Sequence, residues 1–359
     1  MKAAICREFN KPLVIEEVNL RPPLAGEVEV RLAAVAICHS DILYAEGAWG
    51  GSLPAVFGHE AAGHVVAVGA GVTGYAEGDA VVVTLIHSCG HCVPCNHGQP
   101  ARCETGVDRD HGPLTTADGG PLHYGLQTAA FAERVVVHAS QLARIPADMP
   151  MDSACLLACG VITGVGAATN TAKIRPGSSV VVIGAGGVGL NAIQGAAICG
   201  AAKIIAVDLS AEKLAAAREF GATDGVLASE DKPHRVVKAL NGGRGVDYVL
   251  VTVGAISAYQ SAPQYLCRGG MLVMVGMPPS GAEVRYEPVN IAAASHVIAG
   301  SNMGDTMLTR DIPYLVDLYQ QGRLKLDELV TRRYRLEQIN EAIADTVAGN
   351  ARRNVIVFD

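Results

Sequence analysis

The sequence predicts an α/β protein in two parts: a β-rich N-terminal half followed by a doubly wound parallel sheet. Three observations predict it. Short strand-like runs broken by Gly and Pro fill residues 1 to about 150. Beyond Lys173-Ile-Arg-Pro-Gly177, apolar runs alternate with helical spacing. A glycine-rich turn separates the first of those runs from its helix.

In the first half Val28-Glu-Val-Arg-Leu32 alternates, while His64-Val-Val-Ala-Val68, Val81-Val-Val-Thr84 and Arg134-Val-Val-Val-His138 are β-branched. Turn signals at Leu24-Ala-Gly26, Gly69-Ala-Gly71 and Glu77-Gly-Asp79 separate them. In the second half Val180-Val-Val-Ile183 has no polar partner, as a strand covered on both faces requires. Helical spacing then runs from Val188 to Cys199, and Lys203-Ile-Ile-Ala-Val207 is a second buried run. Ser210 caps the next helix, with Glu212 in its first turn and Gly221 past its end. Asp247-Tyr-Val-Leu-Val251 and Met271-Leu-Val-Met-Val275 are further strands. From about residue 304 the chain turns helical and charged, and Arg353-Asn-Val-Ile-Val-Phe358 is a last strand. There is no internal repeat or flexible linker.

The 359 residues suit two domains. A net charge of −7 with no Lys/Arg cluster argues against nucleic-acid or anionic-membrane binding, and 4% aromatics against a base-stacking platform. The uncharged stretch from Ser153 to Ala172 is long enough for a membrane span, but its Gly, Thr, Asn and Ala content argues against one. The N-terminus lacks the apolar region of a signal peptide, so a cytoplasmic location is expected. Ten cysteines then point to metal or catalysis before disulfides.

Gly184-Ala-Gly-Gly-Val-Gly189 matches the dinucleotide fingerprint, and its context matters more than its letters. It follows a buried strand, opens a helix, and has Asp208 about twenty residues on, at the end of the next strand. Gly184 makes the tight turn, Gly186 admits a pyrophosphate, and Gly189 lets helix and sheet approach, with Gly187 and Val188 contributing the helix N-terminus. Asp208 would bond the ribose hydroxyls and repel a 2′-phosphate, and Leu209 rather than Arg follows it, which favours NAD over NADP. The competing reading is a purely structural glycine turn.

Cys89, Cys92, Cys95 and Cys103 have the spacing of a closed four-thiolate zinc site. An iron–sulfur cluster is the rival, but its run continues x₃-C-P, whereas Cys103 lies further on and precedes Glu104. Cys38-His-Ser-Asp41, Gly58-His-Glu60 and Cys159 form a third, dispersed signal. Each alone reads as a structural residue. If Cys38, His59 and Cys159 meet, they are the three ligands of a catalytic zinc with one position open.

Five motifs occur in order: Cys38-His-Ser-Asp41, Gly58-His-Glu-Ala-Ala-Gly63, the four-cysteine loop, Leu157-Ala-Cys-Gly-Val-Ile-Thr-Gly164 and the glycine turn. In this the chain resembles, over essentially its whole length, the zinc-dependent alcohol dehydrogenases of the medium-chain dehydrogenase/reductase superfamily. The resemblance implies a GroES-like catalytic domain over 1–160, carrying a structural zinc loop at 89–103. A Rossmann NAD-binding domain follows over 161–303, and residues 304–359 complete the catalytic domain. It implies two zinc ions and NAD, a small alcohol or aldehyde as substrate, and a homodimer or homotetramer joined near the 274–303 sheet edge.

By the same resemblance Cys38, His59 and Cys159 hold the catalytic zinc, and Glu60 lies behind it as a transient ligand. Asp41 holds the far nitrogen of His59, and Ser40 takes the substrate proton. Thr163 lies by the nicotinamide, Lys213 assists Asp208, His39 and Arg353 face the pyrophosphate, and Val275 belongs to the coenzyme site. Trp49 and Leu85 line the alcohol pocket. Two positions depart from the family pattern: Leu43 stands where many relatives extend the proton relay with a His, and His39 where many carry Arg. The expected activity is reversible oxidation of primary or aromatic alcohols, extending to secondary ones. The runner-up is oxidation of a formaldehyde–thiol adduct such as that of glutathione, with Arg109 meeting a carboxylate. A polyol dehydrogenase fits less well because Cys159 is retained, and a non-catalytic NAD-binding protein less well still.

Overall fold

The computed structural model describes residues 1–108 and 110–359, so Arg109 lies outside it. The chain forms two compact units: Met1–Cys159 with Met307–Asp359, and Gly160–Thr306.

In the first unit, strand Glu27–Ala36 pairs with Glu60–Val68, Arg134–His138 and Arg353–Val357. Its alternate residues Val28, Val30 and Leu32 face the core, as the sequence pattern requires. The C-terminal strand enters this sheet with Val355 opposite Ala36 and Val357 opposite Ala34, antiparallel. On its other side it runs parallel to Val330–Tyr334. A second sheet orders Leu114–Thr116, Val14–Leu20, Lys2–Cys6, Ala55–Val56 and His123–Tyr124. One apolar core joins both, built from residues such as Ile5, Val30, Phe57, Leu122, Phe131 and Ile356.

The second unit is a six-stranded sheet, parallel throughout. Its order is Asp224–Leu227, Lys203–Asp208, Ser179–Ile183, Val246–Val251, Leu266–Met274, Val297–Gly300. The order reverses between the third and fourth of these, which makes the doubly wound switch point. Ser179–Ile183 is buried at every position, the signature read from its uniform apolar run. Ser210 caps helix Ala211–Glu219 by accepting the Lys213 N–H at 3.3 Å. Edge strand Val297–Gly300 leaves Val297 46% and Ile298 38% exposed.

Among the described residues no single helix is long and apolar enough to cross a membrane. The uncharged stretch that raised the question is divided among short helices, and most of it is buried.

Candidate metal and coenzyme sites

Cys38, His59, Glu60 and Cys159 converge, with one ligand atom from each lying within 4.8 Å of the others. Three backbone devices bring them together. Cys38 ends the loop after Glu27–Ala36 and precedes the first turn of helix His39–Ala45. His59 and Glu60 enter strand Glu60–Val68, whose Glu60 lies opposite Thr84. Thr84 in turn donates its hydroxyl to the Ala158 carbonyl at 2.6 Å, anchoring the residue before Cys159. Thr84 carried no signal in the sequence beyond ending a β-branched run.

Asp41 is buried and ties this assembly. One carboxylate oxygen accepts the Cys38 N–H at 3.2 Å; the other accepts the Gly58 N–H at 2.8 Å and bonds His59 Nδ1 at 3.0 Å. The carboxylate therefore holds the proton of His59 on Nδ1. Nε2 is buried and has no hydrogen-bond partner among the described residues. An unpartnered imidazole nitrogen among two thiols and a carboxylate fits a thiophilic divalent cation such as zinc, which would take the place of any proton there.

Within the cluster the electrostatics set the two thiols apart. The Cys38 thiol is held well below its usual range by a hydrogen bond from Cys159, against burial and with help from His59. Cys159, the donor of that pair, is pushed up by the same bond and by burial. Burial pushes Glu60 up to about 7 despite the opposing charge of Arg353. Arg353 is buried and paired with Glu60. His39 is exposed at the start of its helix, and Ser40 is half-buried beside it. Trp49 meets Tyr44 edge-on at 5.1 Å, Tyr44 stacks on Phe57 at 5.9 Å, and Leu85 is half-buried directly after Thr84.

Cys89, Cys92, Cys95 and Cys103 also gather within 4.8 Å, all as free thiols. Two backbone N–H groups point at their sulfurs, from Cys89 to Cys103 and from Cys92 to Cys89, both at 3.3 Å. The Cys92 and Cys103 sulfurs are 3.9 Å apart. A tetrahedral zinc with bonds of about 2.3 Å needs sulfurs about 3.8 Å apart. This volume suits one ion and not a multi-iron cluster with its sulfides. Hydrogen bonds from the Thr105 side chain and the His91 and Cys92 N–H groups push Cys89 down to about 5, favouring the thiolate.

In the second unit the turn at 184–189 has the predicted geometry. Gly184 adopts φ +97°, and a Cβ on Gly189 would stand 1.8 Å from the Gly184 carbonyl oxygen, so only glycine permits the helix to start there. A Cβ on Gly186 would meet nothing within 4 Å, which leaves an open cradle at the N-terminus of helix Gly187–Ile198. Asp208 accepts the Ala185 N–H at 2.7 Å and the Ser210 N–H at 3.0 Å, so it shapes the turn from the end of its strand. Thr252, which the sequence did not single out, bonds the carbonyls of Ile183 and Gly184 at 3.0 and 2.9 Å. Val275 is buried and donates its N–H to Val251 at 3.0 Å, Lys213 is half-buried, and Thr163 donates its hydroxyl to the Met303 sulfur at 3.8 Å.

Two family descriptions match the chain: an alcohol dehydrogenase GroES-like domain over residues 24–147 and a zinc-binding dehydrogenase domain over residues 187–321. The chain is 36% identical to alcohol dehydrogenase 1 of Pisum sativum, covering 100% of this chain and 97% of that protein. Among solved structures it resembles an alcohol dehydrogenase zinc-binding domain protein from Burkholderia ambifaria, with TM-score 0.95 and 36% identity over 100% of this chain and 98% of that one. It also resembles benzyl alcohol dehydrogenase from Acinetobacter calcoaceticus, with TM-score 0.93 and 30% identity over 100% and 99% of the two chains. Full-length identity at this level, joined to two clusters of zinc-type ligands and an open glycine cradle, makes this chain a member of the zinc-dependent medium-chain dehydrogenase family.

Proposed function

We propose that the protein is an NAD-dependent zinc alcohol dehydrogenase that interconverts primary or aromatic alcohols and their aldehydes. The observation that carries this reading is the buried, unpartnered His59 Nε2 facing Cys38 and Cys159. When bound, zinc supplies a Lewis acid that polarises the substrate oxygen, and NAD supplies the hydride acceptor. The residues of the chain do the rest. Cys38, His59 and Cys159 hold the metal, and Asp41 fixes the imidazole through Nδ1. Ser40 Oγ accepts the hydroxyl proton of the substrate. Asp208 and Lys213 hold the ribose, Gly184 to Gly189 hold the pyrophosphate, and Thr163 and Val275 meet the nicotinamide end. Leu43 carries no proton, so release from Ser40 passes to water or the coenzyme ribose. The four-cysteine loop takes a second, structural zinc.

The family resemblance favours aromatic alcohols, with Trp49, edge-on to Tyr44 at 5.1 Å, as the aromatic residue it assigns to the pocket; Tyr44 and Phe57 pack with the apolar core of the first unit. Free cysteines suit a cytosolic location. The test is NADH formation with ethanol, hexanol, benzyl alcohol, cyclohexanol, sorbitol and formaldehyde plus glutathione, with and without a zinc chelator. Turnover of benzyl alcohol that the chelator abolishes supports the reading; turnover of the thiol adduct alone overturns it.

Two further outcomes follow. His39→Arg places a guanidinium, always charged and able to donate two parallel hydrogen bonds to a phosphate, where an imidazole stands, so the KM for NAD⁺ falls several-fold and coenzyme release slows. An unchanged KM counts against a pyrophosphate role for position 39. The exposed edge strand supports a homo-oligomer built by edge pairing. Ile298→Lys is then expected to yield monomers in light scattering; an unchanged assembly would place the interface elsewhere.

A further inference from the structure

Three consecutive residues at the end of the second unit sit in the left-handed region: Met303 at φ +49°, Gly304 at +66° and Asp305 at +47°. Such a run is costly for a chain of L-residues and persists only where its surroundings over-determine it. Here they do. Ser301 N–H is tied to the Met274 carbonyl at 2.9 Å, at the end of the neighbouring strand. Asn170 Nδ2 donates to the Gly304 carbonyl at 3.0 Å. Thr171 Oγ1 donates to Asp305 Oδ2 at 2.7 Å and lies 2.8 Å from Ser301 Oγ. Residue 304 must be glycine, because a Cβ there would stand 2.1 Å from the Ile162 carbonyl oxygen.

Asn170 and Thr171 belong to a wide turn that ends the helical stretch begun at Gly160, closed by the Ala172 N–H to the Ala167 carbonyl at 2.9 Å. Thr163 lies one stretch earlier on the same segment, and its hydroxyl meets the Met303 sulfur. The clamp and the contact are therefore two ends of one arrangement: the turn grips the hook, and the hook presses Met303 onto Thr163.

The hook leaves the carboxyl end of strand Val297–Gly300, on the half of the sheet beyond the switch point. Asp208 ends a strand of the opposite half. A dinucleotide crosses the switch point with one nucleoside on each half, so the half opposite Asp208 takes the nicotinamide nucleoside. We infer that Asn170, Thr171 and Asp305 are positioning residues for the nicotinamide end of the coenzyme, acting by locking the 303–305 hook so that Met303 and Thr163 form one fixed wall. This rests on the NAD reading above.

The test compares two probes, NADH and ADP-ribose, by titration of the full-length protein. ADP-ribose lacks the nicotinamide ring, so a general loss of structure weakens both probes while a lost wall weakens NADH alone. Thr171→Val is isosteric and removes both hydroxyl contacts; Asp305→Ala is an independent cut at the other end. Each is expected to raise the Kd for NADH about tenfold and leave that for ADP-ribose within about twofold. Asp305→Asn keeps an acceptor oxygen and tolerates a positive φ, so it should bind NADH as the parent does. Equal weakening of both probes, or NADH affinity unchanged in both Thr171→Val and Asp305→Ala, overturns the inference while leaving the NAD reading intact. A parent protein that binds neither probe overturns the NAD reading, and this inference with it.

Discussion

Cys159→Ala is expected to lower the zinc content from two ions per chain to one and to abolish turnover, while NADH still binds. The residue is buried, and its sulfur shares one small cluster with Cys38, His59 and Glu60. Removing it leaves two strong donors, too few for a catalytic zinc site. The polarisation lost is worth several kcal/mol, and each ~1.4 kcal/mol is tenfold in rate, so kcat falls by roughly a thousandfold or more. The coenzyme cradle contains none of these atoms, and NADH affinity should stay within about twofold. Metal analysis, stopped-assay turnover and NADH fluorescence check the three parts separately. Sustained activity with one zinc would remove Cys159 from the ligand set.

Asp41→Asn has the second large effect, and it works through hydrogen bonds alone. The carboxylate accepts from three buried donors: the Cys38 N–H, the Gly58 N–H and His59 Nδ1. An amide offers one acceptor oxygen, and its NH₂ group turns towards at least one of those donors. Each donor left unsatisfied costs roughly 1–3 kcal/mol, so thermal unfolding should come several degrees lower. The imidazole is no longer held in the Nδ1–H form, and zinc affinity at this site is expected to fall about 10–100-fold. Competition with a chelator measures it, with the four-cysteine site as internal control. If both sites release zinc at the parental rate, the carboxylate does not orient His59.

The long strands were legible because their pattern and their burial coincide. Glu27–Ala36 alternates and is half-covered; Ser179–Ile183 is apolar throughout and fully covered. Strands without such a pattern were not read from the sequence. Lys2–Cys6 is mostly small residues, Val330–Tyr334 carries two arginines, and Val297–Gly300 is an exposed edge. Pairing partners, not composition, make these segments extended.

The glycine turn and the four-cysteine loop could be read from letters alone, since each is a local structure whose ligands or contacts lie within one turn or one loop. A φ of +97° at Gly184 and a 1.8 Å approach at Gly189 exclude other residues whatever the rest of the chain does. The cluster of Cys38, His59, Glu60 and Cys159 is different in kind. Cys38, His59 and Cys159 meet because Glu60 registers with Thr84 and Thr84 reaches Ala158, 74 residues away in sequence. Arg353 lies on Glu60 across 293 residues. The hook at 303–305 is set by hydrogen bonds from Asn170 and Thr171, more than 130 residues earlier. Strand register and helix docking create such contacts only once the chain has condensed, and no local spacing encodes them.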